Sequence, residues 1–395
     1  MSMKDKIAII GAGCTLFSEN FGQDYSDLMV ESSGEALEEA HLTGKDIQAA
    51  WLGTAFPDAG VWKGRSGMDL AQSLGIFDIP ITRVSNYCAT GGDAFRNACY
   101  CLLAGEADVV MALGVEKLRD RAPQESLVKM MVENGHPIMQ KGFTAAGTFA
   151  VTATRHMHEY GTRAEHLGQI SVKNHKHAVH NPKAQYRTEV TLEQVMRSPM
   201  VAWPLTVLMS CPTTDGSACT IMCRAEDAKK YNEDYVLLKG HGFSVSTGWD
   251  LPFYDERHSF TSYRATEVAS RKAYKDAGVT NPRKDLDMCE VHDCFASVEL
   301  LTYEDLGLCK RGEGGKLVDE GATAAGGEIP VNLSGGLLSC GHPVGATGLR
   351  MLYEITRQMQ GKAGKRQVAN ARLGLAHNIG GPGAVSSVTI LGARD

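Results

Sequence analysis

The sequence predicts a layered α/β protein whose sheets are covered by helices and whose two halves repeat one unit. Continuous apolar segments, such as residues 7–10, 107–113 and 385–391, alternate with amphipathic helical patterns. An apolar run without polar alternation is typical of a strand buried on both faces. A pattern of helix, short turn and buried strand over residues 36–56 also recurs over residues 273–295. This recurrence favours two copies of one α/β unit.

The remaining elements follow in the same order in each half. Residues 6–13 resemble residues 235–242, and residues 215–221 resemble residues 381–390. We therefore expect an N-terminal half over residues 1–230 and a C-terminal half over residues 231–395. The first half carries an insertion of about residues 120–201, rich in His, Met and polar residues. We interpret the insertion as helices and loops over a cleft.

The composition describes an ordinary globular chain. Of the 395 residues, 43% are hydrophobic and 22% are charged, which excludes an intrinsically disordered protein. The net charge is −6, so no global positive field attracts the chain to nucleic acid or to anionic lipid. An anionic ligand would need a local basic patch. Four basic residues could contact phosphates, although solvated surface is the competing interpretation: Lys173, Lys176, Lys183 and Arg187.

Cysteine usage indicates a reducing compartment. The chain has eleven cysteines, an odd number, and no Cys-x-x-Cys pair. With no secretory or lipidation pattern at the termini, we expect a cytoplasmic protein without disulfides, bound metal or membrane span. Six histidines cluster in the insertion, and we interpret them as a solvated or interface face rather than a metal site: His156, His158, His166, His175, His177 and His180.

The first candidate site is the segment SNYCATGGDAFR at residues 85–96, which contains Cys88. A helical pattern runs over residues 89–103, so Cys88 lies at or just before a helix N-terminus. The helix dipole there is expected to lower the thiol pKa and to favour a reactive thiolate. Gly91 and Gly92 would let another segment pack closely on the helix. The alternative is a buried cysteine in a turn.

The second candidate site is LSGGLLSCGHPVGATG at residues 333–348, which opens a helix over residues 349–359. His342 is the expected general base for a thiol. Gly345 and Gly348 suit a close approach by a thioester or its phosphopantetheine arm. The alternative is a structural turn in which His342 caps the helix.

Two further segments carry candidate residues. In VHDCFA at residues 291–296, His292 could donate a hydrogen bond to an enolate and Cys294 could exchange a proton with carbon. In LAHNIGGPG at residues 375–383, Gly380 could supply a backbone N–H to an oxyanion hole. A buried cysteine and a simple glycine turn are the respective alternatives.

Together these four segments resemble the thiolase superfamily over essentially the whole chain. NYCATGG is similar to the family's nucleophile loop, and GHPVGATG closely matches its histidine motif. The resemblance implies a thiolase fold of duplicated βαβαβαββ halves in five αβαβα layers, with the insertion as a loop region. It also implies coenzyme A as co-substrate without a permanently bound cofactor.

Two departures from the motifs of familiar thiolases indicate a subgroup of the superfamily. HDCF at residues 292–295 replaces the Asn-Glu-Ala-Phe of familiar thiolases, and Asn378 replaces the Cys of their Cys-x-Gly motif. Both resemble sterol-carrier-protein-type and archaeal or bacterial acetoacetyl-CoA thiolases. The resemblance implies Ser244, Gly345 and Asn378 as contacts for substrate or CoA. It implies a homodimer or dimer of dimers and makes a small zinc-ribbon/OB-fold partner that helps to hold the acyl-CoA plausible.

The expected reaction is cleavage of a 3-oxoacyl-CoA by CoA, or the reverse Claisen condensation, through an acyl group on Cys88. A decarboxylating enzyme resembling ketoacyl synthases and a non-catalytic acyl-CoA-binding subunit are the alternatives. Acetoacetyl-CoA is the default substrate. An aromatic or branched substrate would need a wider pocket, for which five side chains are candidates: Trp62, Met130, Met131, Met139 and Phe143.

Overall fold

The structure is a computed structural model that describes residues 2–58, 63–121, 144–247 and 258–394. The five side chains expected to widen the pocket lie outside these residues. Within the described ranges, no helix has both the length and the apolar composition needed to cross a bilayer. The strands are β1 Ile7–Cys14, β2 Ala49–Gly53, β3 Ile81–Val84, β4 Val109–Glu116, β5 Met200–Ala202, β6 Leu205–Thr206, β7 Gly216–Arg224, β8 Val236–Val245, β9 Met288–Val291, β10 Leu373–Gly380 and β11 Val385–Gly392.

Nine of the described strands form one mixed sheet in the order β3-β2-β4-β7-β1-β8-β11-β10-β9. Only two residue pairs, Ala8 with Leu237 and Ile9 with Val236, join its two halves where β1 meets β8. Each half has parallel pairing on its outer side and antiparallel pairing toward this junction. The repeated pairing pattern agrees with the predicted duplication. The division after residue 230 stays a prediction.

The described helices are α1 Tyr25–Glu39, α2 Gly67–Leu74, α3 Thr90–Ala104, α4 Ala145–Tyr160, α5 Ala164–Ala178, α6 Leu192–Arg197, α7 Arg264–Ala277, α8 Pro282–Asp285, α9 Ala296–Asp305, α10 Gly314–Asp319, α11 Gly336–Cys340 and α12 Thr347–Met359. They complete five layers with the two half-sheets. Helices α1 and α2 cover the outer face of the first half-sheet, and α7 covers the outer face of the second. Helices α3 and α12 lie between the half-sheets and contact strands of both halves. The predicted αβαβα arrangement is therefore confirmed.

The two central helices begin where the sequence indicates. Helix α3 follows Cys88 and ends at Gly105, whose φ of +77° is the left-handed conformation that glycine readily adopts. Helix α12 begins two residues before the predicted start and is buried over almost its whole length. Because both N-termini face the same interior region, the loops that precede them can meet.

The described part of the insertion is largely helical, and four of its six histidines are buried, whereas His158 and His180 are exposed. His156 is fully buried and contacts Glu304 at 3.0 Å and Thr162 at 2.8 Å. His177 is also buried and contacts the carbonyl oxygen of Asn332 at 3.0 Å. The prediction of solvent exposure is wrong for these residues because buried carboxylate, hydroxyl and carbonyl groups satisfy their ring nitrogens.

Candidate active site

The loops before α3 and α12 and after β9 bring three predicted side chains together. Cys88 Sγ and one ring nitrogen each of His292 and His342 lie within 4.8 Å of one another. The two imidazole rings are 5.0 Å apart between centroids and nearly perpendicular, at 84°. Tyr87, with a φ of +49°, turns the chain just before Cys88. Such a value is uncommon for a residue other than glycine. We call Cys88, His292 and His342 the triad.

Glycines allow the two central helices to approach closely enough to form the triad. A Cβ atom on Gly91 would lie 3.0 Å from the carbonyl oxygen of Gly345, and one on Gly348 would lie 2.5 Å from the backbone nitrogen of Gly92. The close packing predicted at Gly91 and Gly92 is therefore present. At Gly345 and Gly348 the protein's own backbone also approaches closely. A ligand contact at either glycine stays a prediction.

His342 is held in one tautomer by its neighbour Thr347. The hydroxyl of Thr347 donates its hydrogen to the carbonyl oxygen of Pro343 at 3.0 Å. The hydroxyl oxygen of Thr347 also lies 2.7 Å from His342 Nδ1. Because the hydroxyl has given its own hydrogen to Pro343, it accepts a hydrogen from His342 Nδ1. Burial and the charge of Arg350 lower the pKa of His342 to about 3, which keeps the ring neutral. Nε2 therefore carries a lone pair and can accept a proton.

His292 is held in the opposite tautomer. The side-chain amide of Asn378 donates to His292 Nδ1 at 3.1 Å. Burial, and then the charges of His342, His377 and Arg350, lower the pKa of His292 well below its usual value. A neutral ring that accepts at Nδ1 carries its proton on Nε2. The triad thus pairs one imidazole that accepts a proton with one that donates a hydrogen bond.

The Cys88 thiol is not the stabilised thiolate that its position predicts. Burial, and then the negative charge of Glu116, raise the pKa of the Cys88 thiol to about 12, although a hydrogen bond from the backbone N–H of Gly381 lowers it in part. Desolvation of the charged form outweighs the helix dipole here. The resting thiol is protonated at neutral pH, and a base must remove its proton during attack.

Cys211, a cysteine that was not among the predicted site residues, lies beside the predicted Cys294. Burial, then Cys211 and Cys88, raise the pKa of the Cys294 thiol well above its usual value. The backbone N–H of Cys211 donates to the carbonyl oxygen of Cys294 at 2.9 Å. The segment that follows Cys211 also pairs with the histidine loop, where Thr213 forms a bridge with His342. Cys294 is therefore a neutral thiol that holds a proton close to the triad.

The other predicted residues occupy three different environments. Gly380 lies against the nucleophile loop, where a Cβ atom would be 2.5 Å from the carbonyl oxygen of Asn86. Gly345 donates its backbone N–H to Glu116 at 3.0 Å, so that group is already used. Ser244 lies in β8 opposite Ser386, and no hydrogen bond of the described residues joins it to the triad. Substrate contacts at Gly345 and Ser244 stay predictions.

Two buried carboxylates position the catalytic loops, and the sequence analysis assigned a role to neither. Glu116 accepts backbone N–H groups of Ala55 at 2.9 Å and Gly345 at 3.0 Å, which ties the histidine loop to the end of β4. Asp293 accepts the N–H of Leu337 at 2.6 Å, which ties the loop after β9 to α11. A charged residue that ends an apolar strand was the available signal for Glu116.

The triad is also a set of side chains that could hold a metal ion. Sulfur and imidazole nitrogen are ligands that zinc accepts. Because Nδ1 of His342 contacts Thr347 and Nδ1 of His292 contacts Asn378, only the Nε2 atoms are free to serve as ligands beside Cys88 Sγ. The absence of a bound metal stays a prediction.

Comparison with known families agrees with this geometry. Residues 7–226 match the family model described as "Thiolase, N-terminal domain", and residues 249–393 match "Thiolase C-terminal domain-like". The chain belongs to the thiolase family. Among curated relatives, an acetyl-CoA acetyltransferase of Methanothermobacter thermautotrophicus is 39% identical over 98% of this chain and 99% of the relative. Human sterol carrier protein 2 is 38% identical over 96% of this chain and 71% of the relative.

Solved structures confirm the thiolase fold. A structure titled "Ltp2-ChsH2(DUF35) aldolase" superposes with a TM-score of 0.84, at 26% identity, over 100% of this chain and 99% of that chain. Human mitochondrial 3-ketoacyl-CoA thiolase in complex with CoA superposes with a TM-score of 0.77, at 17% identity, over 100% of both chains. The names of these proteins include both acyl transfer and aldol chemistry.

Proposed function

We propose that the protein is a CoA-dependent acyltransferase that cleaves a 3-oxoacyl-CoA with CoA, or catalyses the reverse condensation, through an acyl-Cys88 intermediate. The observation that carries the proposal is the convergence of one thiol and two buried imidazoles, with Cys88 Sγ and one nitrogen of each ring within 4.8 Å of one another. A proton-accepting His342 suits activation of Cys88, and a hydrogen-bond-donating His292 suits an enolate oxygen. The acetyl-CoA acetyltransferase relatives support the same reaction class.

In the first half-reaction, Cys88 Sγ forms a bond to the 3-keto carbon while its proton moves to His342 Nε2. The bond between carbons 2 and 3 then breaks, and its electron pair enters the enolate of the departing acyl-CoA. His292 Nε2–H stabilises the enolate oxygen, and the Cys294 thiol gives its proton to carbon 2. The high pKa of Cys294 keeps that proton available. Splitting one difficult step into two easier ones is the advantage of covalent catalysis.

In the second half-reaction, free CoA occupies the vacated site. The Cys294 thiolate takes the proton of the CoA thiol, whose sulfur attacks the acyl-Cys88 carbonyl. Backbone N–H groups of Cys88 and Gly380 stabilise the oxyanion. Collapse returns the electron pair to Cys88 Sγ, which recovers its proton from His342. Every proton is returned, and the reverse sequence is the Claisen condensation.

Acetoacetyl-CoA is the proposed first substrate, because curated relatives that match 98% of the chain bear the name acetyl-CoA acetyltransferase. We also propose that the chain forms a homodimer or a dimer of dimers. The neighbour titled as an Ltp2-ChsH2(DUF35) complex supports the expectation of a small partner protein. Co-purification of the native protein with an unrelated small chain would test the partner directly.

The alternatives differ in what they require of Cys294 and CoA. A decarboxylating enzyme forms its enolate by loss of carbon dioxide, so a Cys294→Ala variant would keep condensing activity with malonyl thioesters. The aldolase named among the structural neighbours suggests carbon–carbon cleavage without CoA. A non-catalytic subunit would bind acyl-CoA without acylation of Cys88.

Spectrophotometric loss of acetoacetyl-CoA, measured with and without free CoA, tests the proposal. We expect cleavage by the native chain only when CoA is present and none by Cys88→Ala or Cys294→Ala. A panel extending to branched and benzoyl-substituted substrates would identify the preferred acyl group. Cleavage of a 3-hydroxyacyl-CoA without free CoA, which releases a carbonyl compound and an acyl-CoA, would favour the aldol reaction. Thiolysis retained by Cys88→Ala would overturn the proposed intermediate.

A further inference from the structure

A basic cavity lies at the carboxyl end of α12, away from the triad. Its volume is about 580 Å³, and no Asp or Glu is present among the described residues that line it. Five of the lining residues carry permanent positive charge: Arg187, Arg357, Lys362, Lys365 and Arg366. The concentration of charge is notable because the whole chain has a net charge of −6.

Carboxylates behind the cavity fix three of these cations in place. Arg357 pairs with Glu35 at 3.2 Å and also with Glu39, and its guanidinium lies 4.8 Å from the centre of the Tyr353 ring. Lys362 pairs with Glu39 at 3.4 Å. These pairs hold the cavity wall and neutralise part of its charge.

A third cation, Arg366, pairs with Glu354, and its side chain is only 8% exposed. The remaining two cations, Arg187 and Lys365, are exposed and form no ion pair with a carboxylate of the described chain. Their positive charge is therefore not offset and is available to an anionic ligand.

We propose that this cavity binds a diphosphate group, either free or as part of a nucleotide. Arginine guanidinium groups match the geometry of phosphate oxygens, and lysine supplies point charge. The volume is in the usual range for small-ligand sites, about 300–1,000 Å³. Thr347, which contacts His342, is ten helical residues from Arg357, a separation of about 15 Å along the axis. The cavity therefore lies away from the triad, and saturating acetyl-CoA in the test below distinguishes it from a site for the diphosphate of CoA itself.

Isothermal titration calorimetry of the full chain with pyrophosphate and, separately, with ADP tests the proposal. Saturating acetyl-CoA is present throughout, so that the substrate site is occupied. We expect one site per chain, with affinity that falls as salt increases. Lys365→Glu and Arg187→Glu should each weaken binding by about tenfold or more. Lys45→Glu, an equal charge change at an exposed lysine outside the cavity, is the matched control and should leave affinity unchanged.

The outcomes separate the possibilities. Equal affinity for both probes identifies the diphosphate alone as the recognised group, and tighter binding of ADP adds a nucleoside contact. Thermal unfolding of each variant should remain at the native temperature, since both altered residues are exposed. Binding weaker than millimolar for both probes would overturn the proposal, as would binding unaffected by both cavity variants or abolished by acetyl-CoA.

Discussion

The tautomer of His342 is the feature on which the proposed activation of Cys88 depends most directly, and Thr347→Val removes the hydroxyl that fixes it, together with the bond of that hydroxyl to Pro343. Thr347 is fully buried, and valine has nearly the same shape. The substitution removes the oxygen 2.7 Å from His342 Nδ1 and leaves that nitrogen without its acceptor. The ring can then place its proton on Nε2, where it can no longer accept the proton of Cys88.

The magnitude follows from the lost contact. A buried donor without a partner costs about 1–3 kcal/mol. If that free energy no longer favours the active tautomer, kcat should fall by roughly five- to 150-fold, because each factor of ten in rate corresponds to about 1.4 kcal/mol. KM should change little, because Thr347 is buried and contacts His342 rather than the space beside Cys88. Thr347→Ser, which retains the hydroxyl, should restore most of the activity.

The assay is steady-state thiolysis of acetoacetyl-CoA, with thermal unfolding of each variant as the check on folding. The reasoning predicts a lower kcat for Thr347→Val, a recovered kcat for Thr347→Ser and similar unfolding temperatures. Native kcat in a folded Thr347→Val protein would refute the assignment of Thr347 as the residue that positions the proton on His342.

Three further predictions follow from packing and charge. Because the pKa of Cys88 is raised to about 12, its alkylation by iodoacetamide should accelerate roughly tenfold per pH unit between about pH 7 and 10; a rate independent of pH would indicate a preformed thiolate. Gly348→Ala places a Cβ atom 2.5 Å from the backbone nitrogen of Gly92, so the free energy of unfolding should fall by about 1–3 kcal/mol and activity should fall with it. An unchanged midpoint of urea unfolding would contradict this close packing of α3 and α12. Arg350→Met leaves Glu290, the partner of Arg350 at 3.0 Å, buried without a counter-charge. The free energy of unfolding in urea should therefore fall by about 3–5 kcal/mol, and a decrease below about 1 kcal/mol would argue against the ion pair.

Much of the fold could be predicted from local pattern. Buried parallel and mixed strands read as apolar runs, and the predicted segments 7–10, 107–113 and 385–391 overlap β1, β4 and β11, although β1 continues four residues further. The repeat of helix, turn and strand indicated the duplication that the sheet pairing displays. The convergence of Cys88 with His342 could be expected from the resemblance, because both precede central helices.

The sequence could not supply effects that depend on tertiary environment. The position of Cys88 before a helix suggests a lowered thiol pKa, but the pKa is set by burial and by Glu116, a residue 28 positions away in the chain. The contact of Asn378 with His292, 86 residues away in sequence, was not predicted, and a substrate contact of Asn378 stays a prediction. Cys211 gave no signal, since a cysteine beside an ordinary loop is usually a small buried side chain.

Acylation of Cys88 is the covalent step on which the proposed mechanism depends. The native chain and the Cys88→Ala and His342→Ala variants would each be incubated with acetyl-CoA, then analysed by intact-protein and peptide mass spectrometry. We expect one acetyl group per native chain on the peptide that contains Cys88, none on Cys88→Ala and a much slower appearance on His342→Ala. Free CoA should remove the label. An acetyl group on another residue, or thiolysis by a native chain that never acquires the label, would contradict the acyl-Cys88 intermediate.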